Sequence, residues 1–176
     1  WDALNLGAHV QDAPAAVAEN RRRVVEGLAL PCAPLWLQQV HGAQVFDADA
    51  PGADAPGAAA QLPADAAVTR EPARVLAILV ADCLPVLFSS SDGDVIAAAH
   101  AGWRGLAAGV LEASIAAIGV PAEKLCAWLG PAIGARHFEV GAEVREAFVA
   151  RDSGAAAGFS ANQRGRWQCD LAWLAR

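Results

Sequence analysis

The stretch RVLAILVADCLPVLFSSSDGDVIAAAHAGWRG, residues 74–105, decides the fold that we predict for this chain. Residues 74–80 form an apolar run of strand length, which predicts a buried strand with Asp82 and Cys83 at its end. Residues 86–88 continue the apolar run beyond Pro85. The pattern therefore predicts that a sheet strand runs through the middle of the chain.

The same stretch continues through a turn into a second strand and a helix. Residues 89–94 are small and polar and predict a turn, and residues 95–99 predict the second strand. His100 then opens a glycine-rich turn that precedes an amphipathic helix. One face of that helix carries Ala107, Val110, Leu111, Ser114, Ile115 and Ile118. We expect the helix to end at Gly119, shortly before Pro121.

Shorter patterns alternate between helix and strand towards both ends of the chain. Asp12, as an N-cap carboxylate, and the early Pro14 predict a helix start. The helix face that follows carries Val17, Arg21, Val24 and Leu28. We expect Arg21, on this apolar face, to pair with a carboxylate or with backbone carbonyl groups. The remaining predicted elements are strands over residues 34–40 and 125–129, a helix over 143–149, and loops over 48–64 and 153–165. Such a mixture predicts an α+β or mixed α/β domain.

Composition and charge exclude several classes of partner. The 176 residues fit one domain, and the 55% hydrophobic content supplies a core. The formal net charge of −6 argues against nucleic acid and anionic membranes, which require a basic surface. No apolar run approaches the ~18 residues of a membrane span, and no signal-peptide pattern is present. The four cysteines contain no CxxC pair and are expected to be reduced thiols. We therefore expect a soluble, cytoplasmic protein.

His41, Cys83 and His100 each lie where a predicted element breaks, which is where sheets commonly place reactive groups. Their spacings match no short metal-binding motif. By spacing alone, hydrogen-bonded structural histidines and a small buried thiol therefore remain open as alternatives.

The turn GWRG at residues 102–105 has the composition of an anion site. It stands directly before a predicted helix, so free backbone N–H groups, a positive helix end and Arg104 would meet there. The alternative is a plain tight turn with a solvent-facing arginine.

Several motifs closely resemble those of the YfiH/YlmD family. They are NLG at residues 5–7, QQVHG at 38–42, ADCLPV at 81–86, HAGWRG at 100–105, LGPAIG at 129–134 and FEVG at 138–141. They occur in the family's order and span nearly the whole chain. The resemblance implies a layered α/β/β/α fold with mixed sheets in a single domain. It also implies that residues 1–176 lack the family's N-terminal and C-terminal ends.

The resemblance further implies zinc bound by His41, Cys83 and His100. Two imidazoles and one thiolate leave one tetrahedral position open, as in catalytic zinc sites. The implied activities are purine nucleoside phosphorolysis and adenosine deamination, with a purine nucleoside and phosphate as ligands of a monomer. Site residues carried over from the motifs are Cys83, Asp82 and Arg104 as catalytic residues, and Asn5, Gln39, Gly102, Arg104 and Gly105 as substrate-binding residues.

The proton-transfer partner stays open at this point. Asp82 is the nearest carboxylate in sequence, but in a regular strand it would point away from Cys83. Glu139 is the reserve candidate.

Three other functions stay open as well. Copper is less expected than zinc, because a multicopper oxidase needs many histidines and this chain has four, with no Met. The second is a metal-free thiol hydrolase with Cys83 as nucleophile and His100 as base. The third is a non-enzymatic binding module.

Overall fold

The structure is a computed structural model that describes residues 4–53 and 63–176. The helices of these residues are α1 (Pro14–Gly27), α2 (Trp103–Ala108), α3 (Val110–Ile118), α4 (Ala142–Val149) and α5 (Leu171–Leu174). The strands are β1 (Leu35–Trp36), β2 (Val45–Asp47), β3 (Ala66–Thr69), β4 (Leu76–Ala77), β5 (Leu84–Ser90), β6 (Ile96–Ala101), β7 (Leu125–Leu129), β8 (Glu139–Val140), β9 (Phe159–Ala161) and β10 (Trp167–Cys169). Short 3-10 helices cover Ala122–Lys124 and Ser153–Gly158.

Within these residues, the main sheet has five strands in the order β2-β3-β6-β5-β7. The β2–β3 pair is parallel and the other pairs are antiparallel, so the sheet is mixed. A separate antiparallel sheet has the order β8-β10-β9, and β1 pairs with β4 in parallel. The predicted α+β fold with mixed sheets is confirmed.

The larger core cluster includes the buried side chains of the main sheet and of α3, and it continues into α4, α5 and the β8-β10-β9 sheet. Along β5, Leu84, Val86 and Phe88 are buried while Leu87 is 44% exposed, the period of two that a strand with one buried face requires. The small alanine side chains of β6 let α3 pack close to the sheet, and Val110 of α3 is fully buried there. Burying a side chain of this size stabilises the fold by about 1.5–3 kcal/mol.

The prediction of a buried strand over residues 74–80 is wrong. Only Leu76–Ala77 forms a strand there, and Val80 is 41% exposed. This apolar run lies in the two-stranded β1–β4 sheet, so it does not reach the centre of the main sheet. The strand that lies inside the main sheet, between β6 and β7, is β5, which begins directly after Cys83 and includes Pro85 as its second residue.

The single helix predicted after residue 105 is two helices. Gly109 has φ 93°, so it ends α2 and begins α3 in a left-handed conformation. The predicted end at Gly119, with φ 71°, is confirmed. The predicted inward face is correct for Val110, Leu111, Ser114 and Ile118. It is wrong for Ile115, which is 38% exposed.

The N-terminal helix begins at Pro14, but its N-cap is Ala13 and not the predicted Asp12, and its predicted apolar face is only partly buried. Val17 is buried, whereas Leu28 is 68% exposed. Arg21 donates from Nε and Nη2 to the Leu6 carbonyl at 3.0 and 2.8 Å, and its guanidinium stacks on Trp36. The expected pairing of Arg21 with a backbone carbonyl group is therefore confirmed.

The outcomes for the remaining elements differ. The strand predicted over residues 125–129 and the helix over 143–149 are confirmed as β7 and α4. The strand over 34–40 is reduced to β1, and the loop over 153–165 is wrong, because Phe159 is buried in strand β9. Of the predicted loop 48–64, residues 54–62 lie outside the described part of the chain. In the described residues, no helix combines the length and apolar character needed to cross a membrane.

Substituting Gly109→Ala should destabilise the protein. A left-handed backbone costs an L-residue roughly 1–2 kcal/mol, so we expect the free energy of unfolding in urea to fall by about that amount. Gly27→Ala is the matched control, because Gly27 is helical and its added Cβ would meet no atom within 4 Å. Equal stability of the two variants would contradict the prediction.

Candidate metal centre

Three separate segments bring His41, Cys83 and His100 together. Their potential ligand atoms all lie within 4.8 Å of one another, so the group could hold a metal ion. The Cys83 Sγ atom is 3.7 Å from His41 Nε2. The two imidazole rings are 4.7 Å apart between centroids and meet at 75°. The structure therefore places together the three residues that the sequence predicts as ligands.

The register of the β5–β6 pair accounts for the position of Cys83. Leu84 is opposite Ala101, so Cys83 and Gly102 leave the sheet side by side. His100 lies within β6 and does not end it, which corrects the predicted strand boundary. A Cβ atom on Gly102 would lie 2.9 Å from both Cys83 Sγ and His41 Cδ2. Only glycine at position 102 leaves the space in which the thiol and the imidazole approach each other.

Asp65, which the sequence analysis missed, organises this site. Its side chain is fully buried, and its Oδ1 atom accepts a hydrogen bond from His100 Nδ1 at 2.8 Å. The carboxylate also accepts the backbone N–H groups of Val40, His41 and Gly42 at 3.1, 2.9 and 2.7 Å. Burial alone would raise the pKa of Asp65, but these hydrogen bonds lower it below its usual value.

The two histidines have opposite environments. Burial and the nearby His100 lower the pKa of His41, which favours its neutral, metal-binding form. Burial would also lower the pKa of His100, but its hydrogen bonds with Asp65 and Cys83 raise that pKa to about 9. Burial therefore dominates the pKa of His41, whereas hydrogen bonding outweighs burial at His100.

These residues fit a transition-metal ion. Two imidazoles and one thiol are a donor set that suits zinc and copper. The Asp65 bond to Nδ1 leaves Nε2 of His100 available, which is the usual arrangement of a histidine ligand with a carboxylate behind it.

Arg104 lies beside this group on the first turn of α2. It is exposed, its guanidinium stacks on the Trp103 ring at 4.5 Å, and it is close enough to His41 to lower that residue's pKa. Because α2 has only six residues, the guanidinium is the stronger feature for binding an anion.

Gly105 has a packing role in the structure. It is buried, and a Cβ atom there would lie 2.8 Å from the Gly42 carbonyl oxygen. Its absence of a side chain lets α2 pack against the turn that carries His41. Its predicted contact with substrate stays a prediction.

Asn5 and Gln39 use their amide groups to hold the surrounding loops. Asn5 donates to the Gly7 carbonyl and to Asp12, and it accepts the Gly7 N–H. Gln39 donates to the Leu79 carbonyl and accepts the Leu79 N–H, both at 2.8 Å. Their predicted role in substrate binding stays a prediction.

The two carboxylates predicted for proton transfer lie in different surroundings. Asp82 is exposed next to Cys83, and its carbonyl oxygen accepts the Ile133 N–H at 2.9 Å. Glu139 instead accepts a hydrogen bond from Asn162 at 2.7 Å and pairs with Arg164 at 3.3 Å. The predicted role of either carboxylate in proton transfer stays a prediction.

Only one signal in the sequence could have pointed to Asp65. It stands directly before the apolar strand Ala66–Thr69, and a carboxylate at the start of a fully buried strand requires hydrogen-bonding partners. Its partners are 23 to 35 residues away, so no local motif contains them.

Gly102→Ala should weaken metal binding while the protein stays folded. The new methyl group would displace Cys83 or His41, and we expect the affinity for zinc to fall about tenfold or more, the scale on which ligand support matters. Competition with a chromophoric chelator measures this affinity. Gly134→Ala is the control, because a Cβ atom there would meet nothing within 4 Å. An unchanged affinity in Gly102→Ala would refute the steric argument.

This chain is similar to a known protein family and to several named bacterial proteins. The family model described as multi-copper polyphenol oxidoreductase laccase matches residues 1–176. A Pseudomonas aeruginosa protein named purine nucleoside phosphorylase is 53% identical over 178 residues, which cover 100% of this chain and 69% of that protein. Escherichia coli purine nucleoside phosphorylase YfiH is 49% identical over 177 residues, which cover 100% of this chain and 70% of that protein.

Solved structures agree with these relatives. A crystal structure of a Neisseria meningitidis protein matches with a TM-score of 0.90 at 45% identity, covering 100% of this chain and 69% of that one. The Bacillus licheniformis hypothetical protein YfiH matches with a TM-score of 0.87 at 28% identity, covering 98% of this chain and 68% of that one. The chain therefore belongs to the YfiH family, whose matching family model is described as multi-copper polyphenol oxidoreductase laccase.

Proposed function

We propose that this chain is a zinc-dependent purine nucleoside phosphorylase that also deaminates adenosine. The observation that carries the proposal is the His41, Cys83 and His100 group, whose ligand atoms lie within 4.8 Å of one another beside an exposed arginine. Relatives at 53% and 49% identity bear the name purine nucleoside phosphorylase, which supplies the substrate class.

Phosphorolysis requires that a phosphate oxygen bonds to C1′ of the ribose while the bond from C1′ to the purine nitrogen breaks. The electron pair of that bond and one proton pass to the purine, which leaves as the free base with ribose 1-phosphate. Arg104 is proposed to hold the phosphate, because a guanidinium can donate two parallel hydrogen bonds to it. Asp82, exposed beside Cys83, is proposed to supply the proton to the base.

The metal would be held by His41, Cys83 and His100. Zinc at such a site supplies Lewis acidity and the activation of water, which adenosine deamination requires. Gly102 keeps the space in front of the thiol open, and the hydrogen bond from His100 to Asp65 keeps that imidazole in position. In deamination Asp82 is again the proposed group that exchanges protons with the substrate.

The proposal includes a monomeric, cytoplasmic enzyme that binds neither nucleic acid nor membrane. The formal net charge of −6 supports the absence of polyanionic partners. The free cysteines Cys32, Cys83, Cys126 and Cys169 fit a reducing compartment.

Purified protein should convert inosine to hypoxanthine and ribose 1-phosphate only when phosphate is present. It should also convert adenosine to inosine without phosphate. Chromatographic separation of bases and nucleosides measures both reactions. If none of these products forms from inosine or adenosine, the proposed activity is wrong.

Arg104→Ala should raise the KM for phosphate more than the KM for the nucleoside. A hydrogen bond to a charged group contributes about 1.5–3 kcal/mol, which corresponds to at least a tenfold change in KM. Steady-state kinetics at varied phosphate concentration tests this expectation. Arg23→Ala, which removes an exposed arginine paired with Glu19 on α1, should change neither KM. An equal rise in both KM values for Arg104→Ala would assign the residue to general binding.

A copper oxidase is the second candidate, because two imidazoles and a thiolate also suit copper and the family model carries an oxidoreductase description. The chain has four histidines in all and no Met, which is too few for a trinuclear copper cluster with an axial Met site. Metal analysis of protein produced without added copper separates the candidates. We expect one zinc per chain, and stoichiometric copper with phenol oxidation would reverse the assignment.

The hydrogen bond between Cys83 and His100 keeps a metal-free thiol hydrolase as the third candidate, with Cys83 as the proposed nucleophile and His100 as the proposed base. Chelation distinguishes it from the zinc enzyme. Removing metal with a strong chelator should abolish phosphorolysis, and added zinc should restore it. Activity that survives chelation but not thiol alkylation would favour the hydrolase.

A further inference from the structure

One buried carboxylate serves both histidines of the candidate metal centre. Oδ1 of Asp65 accepts from the His41 N–H and from His100 Nδ1, and Oδ2 accepts from the N–H groups of Val40 and Gly42. A carboxylate offers about four lone-pair positions, and all of them are used here. The side chain has no exposed surface, so these bonds do not compete with water.

We propose that Asp65 is a positioning residue that sets the geometry of the metal centre before a metal binds. It fixes His100 through its ring and His41 through its backbone. This inference rests on the proposed function only in that the centre holds a metal. It assigns Asp65 no contact with substrate or metal.

The ring of His100 is oriented by a hydrogen bond between its Nδ1 atom and Asp65. Its Nδ1 atom is 2.8 Å from Asp65 Oδ1, so the tautomer with hydrogen on Nδ1 is the one the contact favours. With the hydrogen kept on Nδ1, Nε2 on the side of the ring away from Asp65 is the nitrogen that can bind a metal, once it has lost its own proton. The backbone N–H of His100 also donates to the Asp65 carbonyl at 2.6 Å, so the main chain and the ring have the same anchor.

His41 is held through its backbone. Its φ of 62° is left-handed, which costs a residue with a side chain roughly 1–2 kcal/mol. The consecutive N–H groups of residues 40–42 all point at the Asp65 carboxylate, and these three charge-assisted hydrogen bonds offset that cost. This backbone conformation directs the imidazole towards Cys83.

Asp65 is itself fixed by the sheet. Its N–H donates to the Gln44 carbonyl at 3.0 Å, and β3 begins at the next residue. Asparagine at position 65 could not reproduce the arrangement, because its NH₂ group would face N–H donors and two acceptor contacts would be lost. The role therefore requires a carboxylate and not simply a polar residue of this shape.

The test compares Asp65→Asn with the matched control Asp49→Asn. Asp49 is also a partly buried carboxylate with hydrogen bonds to distant residues. It accepts one from the Thr69 hydroxyl and one from the Arg70 backbone N–H, at 2.6 Å each. Both variants should lose stability in urea, so stability alone does not separate a positioning role from a structural one. Zinc affinity, measured by chelator competition, should fall about 10–100-fold in Asp65→Asn and stay within about twofold of wild type in Asp49→Asn.

Two further measurements make the outcome decisive. The visible spectrum of the cobalt-substituted protein should change in Asp65→Asn and not in Asp49→Asn, since it reports ligand geometry. Amide hydrogen exchange of Val40, His41 and Gly42 in the metal-free protein should become about tenfold faster in Asp65→Asn only. Unchanged zinc affinity and an unchanged cobalt spectrum in folded Asp65→Asn would overturn the inference.

The wild-type protein provides a test if Asp65→Asn does not fold. Nitrogen-15 NMR of the cadmium-113-loaded protein should show cadmium coupling to Nε2 of His100 and a hydrogen on Nδ1. Coupling to Nδ1 would overturn the inference.

If the wild-type protein binds no zinc, cobalt or cadmium, the metal-dependent function fails. The exchange rates of residues 40–42 then decide the positioning role alone, and equal rates in both variants would overturn it.

Discussion

The buried carboxylate of Asp65 is the constraint on which the candidate site depends. It has no exposed surface, yet it is charged, so it requires the four hydrogen bonds that it receives. Those bonds come from two segments that are far apart in sequence, the turn at residues 40–42 and strand β6. A single desolvated charge therefore determines both the left-handed turn that carries His41 and the orientation of the His100 ring.

Close backbone packing is the second requirement. Gly102 admits Cys83 and His41 into contact, and Gly105 lets α2 approach the carbonyl of Gly42. Gly109 then turns the chain so that α3 can pack on the main sheet. The six residues of the HAGWRG segment thus include the metal ligand His100, two glycines that allow close packing, and Arg104. Its glycines are explained by packing, which leaves Arg104 as the group suited to an anion.

The electrostatics of the two histidines follow from this arrangement. Burial lowers the pKa of both rings, but only His100 has a carboxylate partner strong enough to reverse the direction. The lowered pKa of His41 keeps its lone pair free at neutral pH, while His100 keeps Nδ1 directed at Asp65 and presents Nε2. The site thus combines one neutral imidazole, one carboxylate-supported imidazole and one thiol, which is a coherent donor set for a metal ion.

Local periodicity predicted α1, β7 and α4, because neighbouring residues carry that signal, and the resemblance of the motifs around His41, Cys83 and His100 to those of the family predicted these three ligands. The apolar run 74–80 is only half-buried and contributes just Leu76–Ala77 to the small β1–β4 sheet, because hydrophobicity determines neither which sheet a segment joins nor how far its neighbours cover it. Only the tertiary structure identified Asp65, whose partners are 23 to 35 residues away. A buried charge is recognised by its hydrogen bonds, and those exist only after the chain has folded.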